Sequence, residues 1–378
     1  MKLDLIRFLF TTYLKTKKTV VKGDSIPKFE KILIMSNTAI GDTLFTTPVF
    51  RLIKEHYPDI KITAVLNPKT FPLFANNLYI DNIILYSGKW KDFFKAQKEI
   101  IALKNDVALI MHSNEPQATP LAYLSGIKYI IKIPNEQNSF NFLHFNKPTP
   151  KLKNEHFIDH RLKQLEFIGI HKKSYNMDIF IEEHWYQKTI NFFQESGYKY
   201  IGLQIGASTK SRMWFTDRWV ELIEKIIQNK PSWKIFLTGS QKEKDIATSI
   251  TNKINSDRVY DIVGHLDLCQ LAAMIDKLDI LVTPDTGPLH IAASVKTPTV
   301  AFSVAGRKIE SNPRSTAAKH LFIEKSKTCN PCIDLRCKYQ KCMYQITAEE
   351  VYDNILKIIE PEINKIFVNN TTTNETLF

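Results

Sequence analysis

No stretch of this 378-residue sequence is long and apolar enough to span a bilayer as a helix, so an integral helical membrane protein is not expected. Acidic residues are in deficit: 39 Asp and Glu stand against 51 Lys and Arg, a formal net charge of +12. That surplus suits nucleic acid, anionic lipid or phosphorylated substrates and does not choose among them. Cysteine is scarce outside one short segment. Of five, four fall within residues 329–342 and Cys269 stands alone in a helical pattern. In the cytoplasmic chain expected here, such crowding argues for metal or free thiols over a disulfide framework, with Cys269 a core residue.

What is present is enough for packed cores. A hydrophobic content of 44% rules out a disordered chain, and 378 residues exceed what one core usually supports. Residues 1–18 carry Leu3, Leu5, Ile6, Phe8, Leu9, Phe10, Tyr13 and Leu14, then Lys15, Lys17 and Lys18. Asp4 and Arg7 interrupt the apolar run and no small-residue cleavage site follows, which fits a secretory signal poorly. Two readings stand for this segment: an interfacial helix on anionic lipid, or a helix packed on its own domain.

From Lys31 onward, short β-rich runs alternate with amphipathic stretches, the signature of parallel sheets flanked by helices. Strands are expected at 31–35, 61–66, 82–86, 107–112 and 129–133, with helices such as 43–57 and 92–103 between them. A second alternation follows at 200–205, 234–238, 259–263, 279–283 and 299–303, with helices at 217–228 and 268–277. The polar stretch 134–154 reads as a mobile loop or an acceptor-binding excursion. The expected division is an N-terminal extension at 1–30, a Rossmann-like acceptor domain at 31–184, and a Rossmann-like donor domain at 185–346. A closing helix at 347–367 and a disordered Asn/Thr-rich tail at 368–378 complete it. Two such domains in tandem should face one another across a cleft, with ligands at the carboxyl ends of both sheets.

Three strand-end turns carry candidate chemistry. The first runs from Ser36 through Thr38 and Gly41 to Asp42. Gly41 permits a tight turn, and Asp42 is either an N-cap or a general base taking a proton from an incoming hydroxyl. In the second, Gly206 to Trp214, small residues allow close approach while Ser208, Lys210 and Arg212 suit phosphate, unless the loop is merely basic and solvated. In the third, Pro284 to His290, Thr286 and Gly287 open a helix whose N-terminus can hold a diphosphate. Asp285 suits a sugar hydroxyl or a cap, and His290 either phosphate or a structural role. Glu243, beyond a further strand, either accepts from ribose hydroxyls or favours its helix N-terminus.

Four strings in this order resemble the lipopolysaccharide heptosyltransferase family, glycosyltransferase family 9. They are Ile34 to Asp42 with Thr46, Thr47 and Pro48; Gly206, Ala207 and Ser208 with Trp214 and Trp219; Asp285 to Ala293; and Cys342-Met343 before a final helix. The resemblance spans about Lys31 to Ile359. It implies a GT-B fold, an ADP-heptose donor held by the C-terminal domain, and inverting transfer that needs no metal or other cofactor for catalysis. It also implies Asp42 as base, Thr286, Gly287 and His290 at the diphosphate, and Glu243 at the nucleotide. Arg212 falls where the family has a lysine, a match in charge but not in geometry. The implied partners are a lipid A-core acceptor and the cytoplasmic surface of the inner membrane, to which the enzyme would be peripheral. No nucleic acid is expected.

The spacing Cys329-x2-Cys332-x4-Cys337-x4-Cys342 is compatible with one structural zinc and leaves no open position for catalysis. It also resembles a zinc knuckle, which keeps a nucleic-acid binder as the rival from another class. Within enzymes, the rival is a transferase of the same fold using another nucleotide sugar or a protein acceptor.

Overall fold

The computed structural model describes residues 12–14, 16, 22–112, 117–133, 140–147, 155–304, 308–314, 317–329, 337 and 341–361. The chain divides between Phe180 and Ile181 into two compact units.

The first unit is built in the order β1 (Lys31–Ser36), α1 (Ile40–Leu44), α2 (Thr47–His56), β2 (Lys61–Leu66), β3 (Asn82–Leu85), α3 (Phe93–Leu103), β4 (Val107–Ile110), α4 (Ala118–Leu124), β5 (Tyr129–Lys132) and α5 (Phe157–Leu165). Its strands form one parallel sheet in the order β3-β2-β1-β4-β5. β1 and β2 are buried along their whole length after an exposed first lysine, as continuous apolar runs covered on both faces must be. The core gathers Leu33, Met35, Val65, Phe93, Ile110 and Leu121.

The second unit follows as β6 (Lys199–Gln204), α6 (Thr216–Asn229), β7 (Trp233–Thr238), α7 (Lys244–Thr251), β8 (Val259–Asp261), α8 (Leu268–Lys277), β9 (Ile280–Pro284), α9 (Gly287–Ser294), β10 (Thr299–Val304), α10 (Lys308–Ser311), β11 (His320–Lys325) and α11 (Ala348–Ile359). Its parallel sheet runs β11-β10-β9-β6-β7-β8. Trp219, fully buried, meets Trp214 edge to face at 4.8 Å, and Trp214 donates from Nε1 to the Ile346 carbonyl at 3.0 Å. α11 returns over α6 and contributes Val351, Tyr352 and Ile355 to the same core. The closing helix therefore ends at Ile359, and the tail expected to be disordered lies outside the described residues.

One expectation is corrected, and the described residues bear on two readings that were left open. The single helix expected at 43–57 is two helices, broken at Phe45–Thr46. Pro48 is the cause: it has no N–H to donate and its ring would collide with the Leu44 carbonyl. Of the stretch 134–154, read as a mobile loop or an acceptor-binding excursion, the described residues 140–147 are folded. Phe140, Leu143 and Phe145 are buried, and Asn146 brackets Lys132 by accepting its N–H and donating to its carbonyl, both at 3.1 Å. Where it is described, the extension before Lys31 is packed on its own unit, as one of its two readings had it, while the apolar run Leu3 to Phe10 lies outside the described residues. Leu14 is fully buried against Phe140 and Leu143, Gly23 donates to the Phe145 carbonyl, and Ile26 donates to that of Phe167. Three elements went unforeseen, the helices α5 and α10 and the edge strand β11.

Candidate active site

Both sheets reverse their strand order at one point, and in open α/β sheets ligands bind outside the carboxyl ends of the strands at that point. In the first sheet it lies between β1 and β4, and in the second between β6 and β9.

At the first switch point, β1 ends on Ser36 and the chain runs through Asn37 and Thr38 into α1. Asn37 is buried and its Oδ1 lies 3.1 Å from Nε2 of His112, just beyond β4. Burial, followed by the nearby charges of Lys132 and Arg161, holds the His112 imidazole well below its ordinary pKa, so it is neutral near pH 7. The Thr38 hydroxyl is buried without a hydrogen-bond partner. Gly41 lies inside α1, in helical backbone and not in the tight turn expected of it. Asp42 occupies the first turn of α1, where the helix dipole favours a carboxylate. The N-cap position belongs to Ala39, so Asp42 is not the cap.

Arg161 decides how Asp42 is held. Its side chain is 3% exposed, while that of Asp42 is 42% exposed. The guanidinium donates from Nη2 to Asp42 Oδ1 at 3.3 Å, from Nε to Thr46 Oγ1 at 3.1 Å, and from Nη1 to the Phe157 carbonyl at 2.7 Å. It also lies 5.6 Å from the centre of the Phe45 ring. Burial draws the Arg161 pKa down, and the Asp42 charge and hydrogen bond push it back up. A carboxylate facing solvent is thus fixed from behind by a buried, always-charged fork. Sequence reasoning missed Arg161. The available signal was its position on the apolar face of α5, three residues after Ile158 and next to Leu162.

At the second switch point the turns after β6 and β9 are neighbours. Arg212, in a single 3-10 turn at Lys210–Arg212, donates from Nη1 to the carbonyl of Asp285 at 3.3 Å. Ser208 and Lys210 are exposed beside it, and Asp285 is buried. Thr286 sits extended at the N-cap of α9 and makes no side-chain capping bond, with Gly287 and Pro288 opening the helix. His290 is buried inside α9. Glu243 lies after β7 and next to this turn: a Cβ on Gly206 would fall 2.7 Å from the Glu243 Cδ, so only glycine leaves room for that carboxylate. Glu243 Oε2 accepts from the Ser240 N–H at 2.8 Å and its hydroxyl at 2.7 Å, which makes it a capping-box residue first.

Cys329 is exposed, Cys337 and Cys342 are half-buried, and Cys332 lies outside the described residues. Among the described residues no three His, Cys, Asp or Glu side chains are grouped to hold a metal ion. The Cys269 thiol is pushed up to about 11, first by burial and then by Asp267 and Glu182, which fits an inert packing role.

The sequence profile described as glycosyltransferase family 9 (heptosyltransferase) matches residues 106–343, more than half of the chain. This chain belongs to that family.

Relatives extend the likeness beyond the length of the matched span. Lipooligosaccharide heptosyltransferase 2 of Campylobacter jejuni is 26% identical over 88% of this chain and all of its own length. Lipopolysaccharide heptosyltransferase 3 of Escherichia coli is 24% identical over 69% of this chain and 79% of its own. The solved ADP-heptose LPS heptosyltransferase II of Escherichia coli has a TM-score of 0.72 at 18% identity, covering 88% of this chain and 99% of that one. A family-9 glycosyltransferase with two Rossmann-like parallel sheets has the GT-B fold.

Proposed function

We propose that this glycosyltransferase moves heptose from ADP-heptose to the inner core of lipopolysaccharide, with inversion at the anomeric carbon. What carries the proposal is the setting of Asp42 in a family-9 chain: at the end of a central strand, half open to solvent, and oriented by Arg161. The family description and the names of the relatives support the sugar and the acceptor.

In the proposed reaction the Asp42 carboxylate takes the proton of the acceptor hydroxyl as that oxygen bonds to the anomeric carbon. The bond from that carbon to the donor's phosphate oxygen breaks, and ADP leaves with the electron pair. Lys210, Arg212 and the N-terminus of α9 at Thr286–Gly287 answer the charge that gathers on the departing diphosphate. Thr38 and Gly41 line the acceptor side, Ser208 and His290 support the phosphates, Asp285 meets a sugar hydroxyl, and Glu243 meets the ribose through whatever acceptor capacity its capping bonds leave. No step is assigned to a metal. A zinc carried by Cys329, Cys332, Cys337 and Cys342 would be structural, and metal content after purification under reducing conditions tests it. Among the described residues no helix is long and apolar enough to cross a membrane. The lipopolysaccharide names of the relatives support an enzyme that meets a lipid-linked acceptor peripherally at the cytoplasmic face of the inner membrane.

The test is transfer from ADP-heptose to a heptose-deficient, Kdo-bearing lipid acceptor and to a heptosylated inner-core acceptor. Native protein should modify one of them, and Asp42→Ala should bind ADP unchanged while losing on the order of 100- to 10,000-fold in rate. ADP binding without modification of either acceptor would sink the lipopolysaccharide assignment and direct attention to other sugars and protein acceptors.

A further inference from the structure

α3 turns Phe93, Ala96 and Ile100 into the core of the first unit. Its opposite face is not simply polar. Phe94 is 77% exposed and Ile101 49%, two turns apart on one stripe. Trp90, in the 3-10 turn that leads into the helix, is 36% exposed, and Leu85 at the end of β3 is 39% exposed. Lys91, Lys95 and Lys98 are exposed alongside. Residues 89–104 hold five lysines and two acids. Asp92 is occupied by the Ser87 hydroxyl, and Glu99 is half-buried. The outer rings are also backed by the core: buried Phe93 lies 5.3 Å from the Trp90 ring and 5.6 Å from that of Phe94.

Single exposed apolar side chains are ordinary. Here, of nine large apolar side chains exposed among the described residues, four fall between Leu85 and Ile101. Aromatic and aliphatic side chains interleaved with one sign of charge match the chemistry of an anionic bilayer surface, where rings settle at headgroup level and lysines meet phosphates. Single-stranded nucleic acid would want stacking platforms throughout, and Ile101 and Leu85 offer none. We propose that the exposed face of α3, with Trp90, Phe94 and Ile101 flanked by Lys91, Lys95 and Lys98, docks this protein on anionic phospholipid membranes. The proposal builds on the reading of the chain as a transferase acting on a lipid-linked acceptor.

The experiment is co-sedimentation of the full chain with vesicles of phosphatidylglycerol mixed with phosphatidylcholine, against vesicles of phosphatidylcholine alone. The native chain should bind the first and not the second, and lose binding as salt rises. Each lysine reversed among Lys91→Glu, Lys95→Glu and Lys98→Glu should weaken binding about fivefold or more. Phe94→Ser with Ile101→Ser should weaken it at least about tenfold. Ile190→Ser, an exposed apolar position in the second unit, should change nothing. All variants should keep the native circular dichroism and native transfer to a delipidated acceptor. Native-level sedimentation by both sets of variants would overturn the proposal. So would failure of the native chain to bind anionic vesicles, or binding of a single-stranded oligonucleotide that these substitutions abolish in place of vesicle binding. Vesicle binding through this face without sugar transfer would instead sink the transferase reading and leave the docking face standing.

Discussion

Asp42 and Arg161 are 119 residues apart in sequence and one hydrogen bond apart in space. The aspartate was legible beforehand because it follows a β-rich run and a small-residue turn, a local pattern. Its partner was not, because nothing local distinguishes an arginine that donates across the unit from one that faces solvent. Only its place among apolar residues of α5 hints at burial, and burial of a charge demands a partner. The pairing has a kinetic consequence. Arg161→Ala should lower kcat about 100-fold with little change in KM for the nucleotide sugar, because it releases the carboxylate and leaves the donor turns untouched. Arg161→Lys should recover part of that rate, since a lysine restores charge without the three-way fork. Steady-state kinetics on natively folded variants decides. Equal loss in the alanine and lysine variants, or a rise in KM alone, would mean that Arg161 does not position Asp42.

At the scale of elements, ten strands were legible: the seven interior ones, covered on both faces, have little choice of residue, and the edge strands β3, β5 and β8 still carry β-favouring Ile, Val or Tyr. The eleventh, His320–Lys325, hides because its apolar run is only Leu321 to Ile323, between His320 and the charged Glu324 and Lys325 that an edge tolerates. Helix ends followed the same logic. α8 matches its expected bounds of 268–277, and its start is marked by a reciprocal capping box: Asp267 Oδ1 accepts the Gln270 N–H at 2.9 Å, while Gln270 Oε1 accepts that of Asp267 at 3.1 Å. Asp267→Ala should therefore cost about 1 kcal/mol, read as a lower urea midpoint at unchanged slope. The break at Pro48 was equally available in the sequence and was overridden by the helical period that runs through it.

For the whole molecule, strand order could not be read from the sequence at all, since alternation names the strands without seating them. Tertiary burial likewise fixes properties that no motif announces. His144 lies in the first unit, 2.9 Å from the Thr119 hydroxyl, and burial, with Lys132 and Lys22 nearby, pulls its pKa down to about 3. Burial draws His320, in the second unit, down to about 4. Both are neutral in the folded chain and titrate near 6.5 when unfolded, so acid feeds protons to the unfolded state first. Their contribution to stability is whole above pH 6.5 and is lost as pH falls toward 3 to 4. Between pH 7 and pH 5 each should cost about 2 kcal/mol. Replacing His144 with Gln should flatten that pH dependence of the urea midpoint, and an unchanged slope would show that this imidazole is protonated or exposed in the fold.

The segment before Lys31 has a practical bearing on how the enzyme is handled. Leu14 fills a site under Phe140 and Leu143, and the Gly23 and Ile26 amides tie residues 22–30 to the chain that precedes and follows α5. A version shortened to begin at Lys31 would uncover that apolar floor and strip carbonyls of their donors, at about 2 kcal/mol or more for Leu14 alone. Such a trimmed product would retain every proposed catalytic side chain and still be the poorer protein to purify, prone to clump and easily nicked by proteases around Phe145.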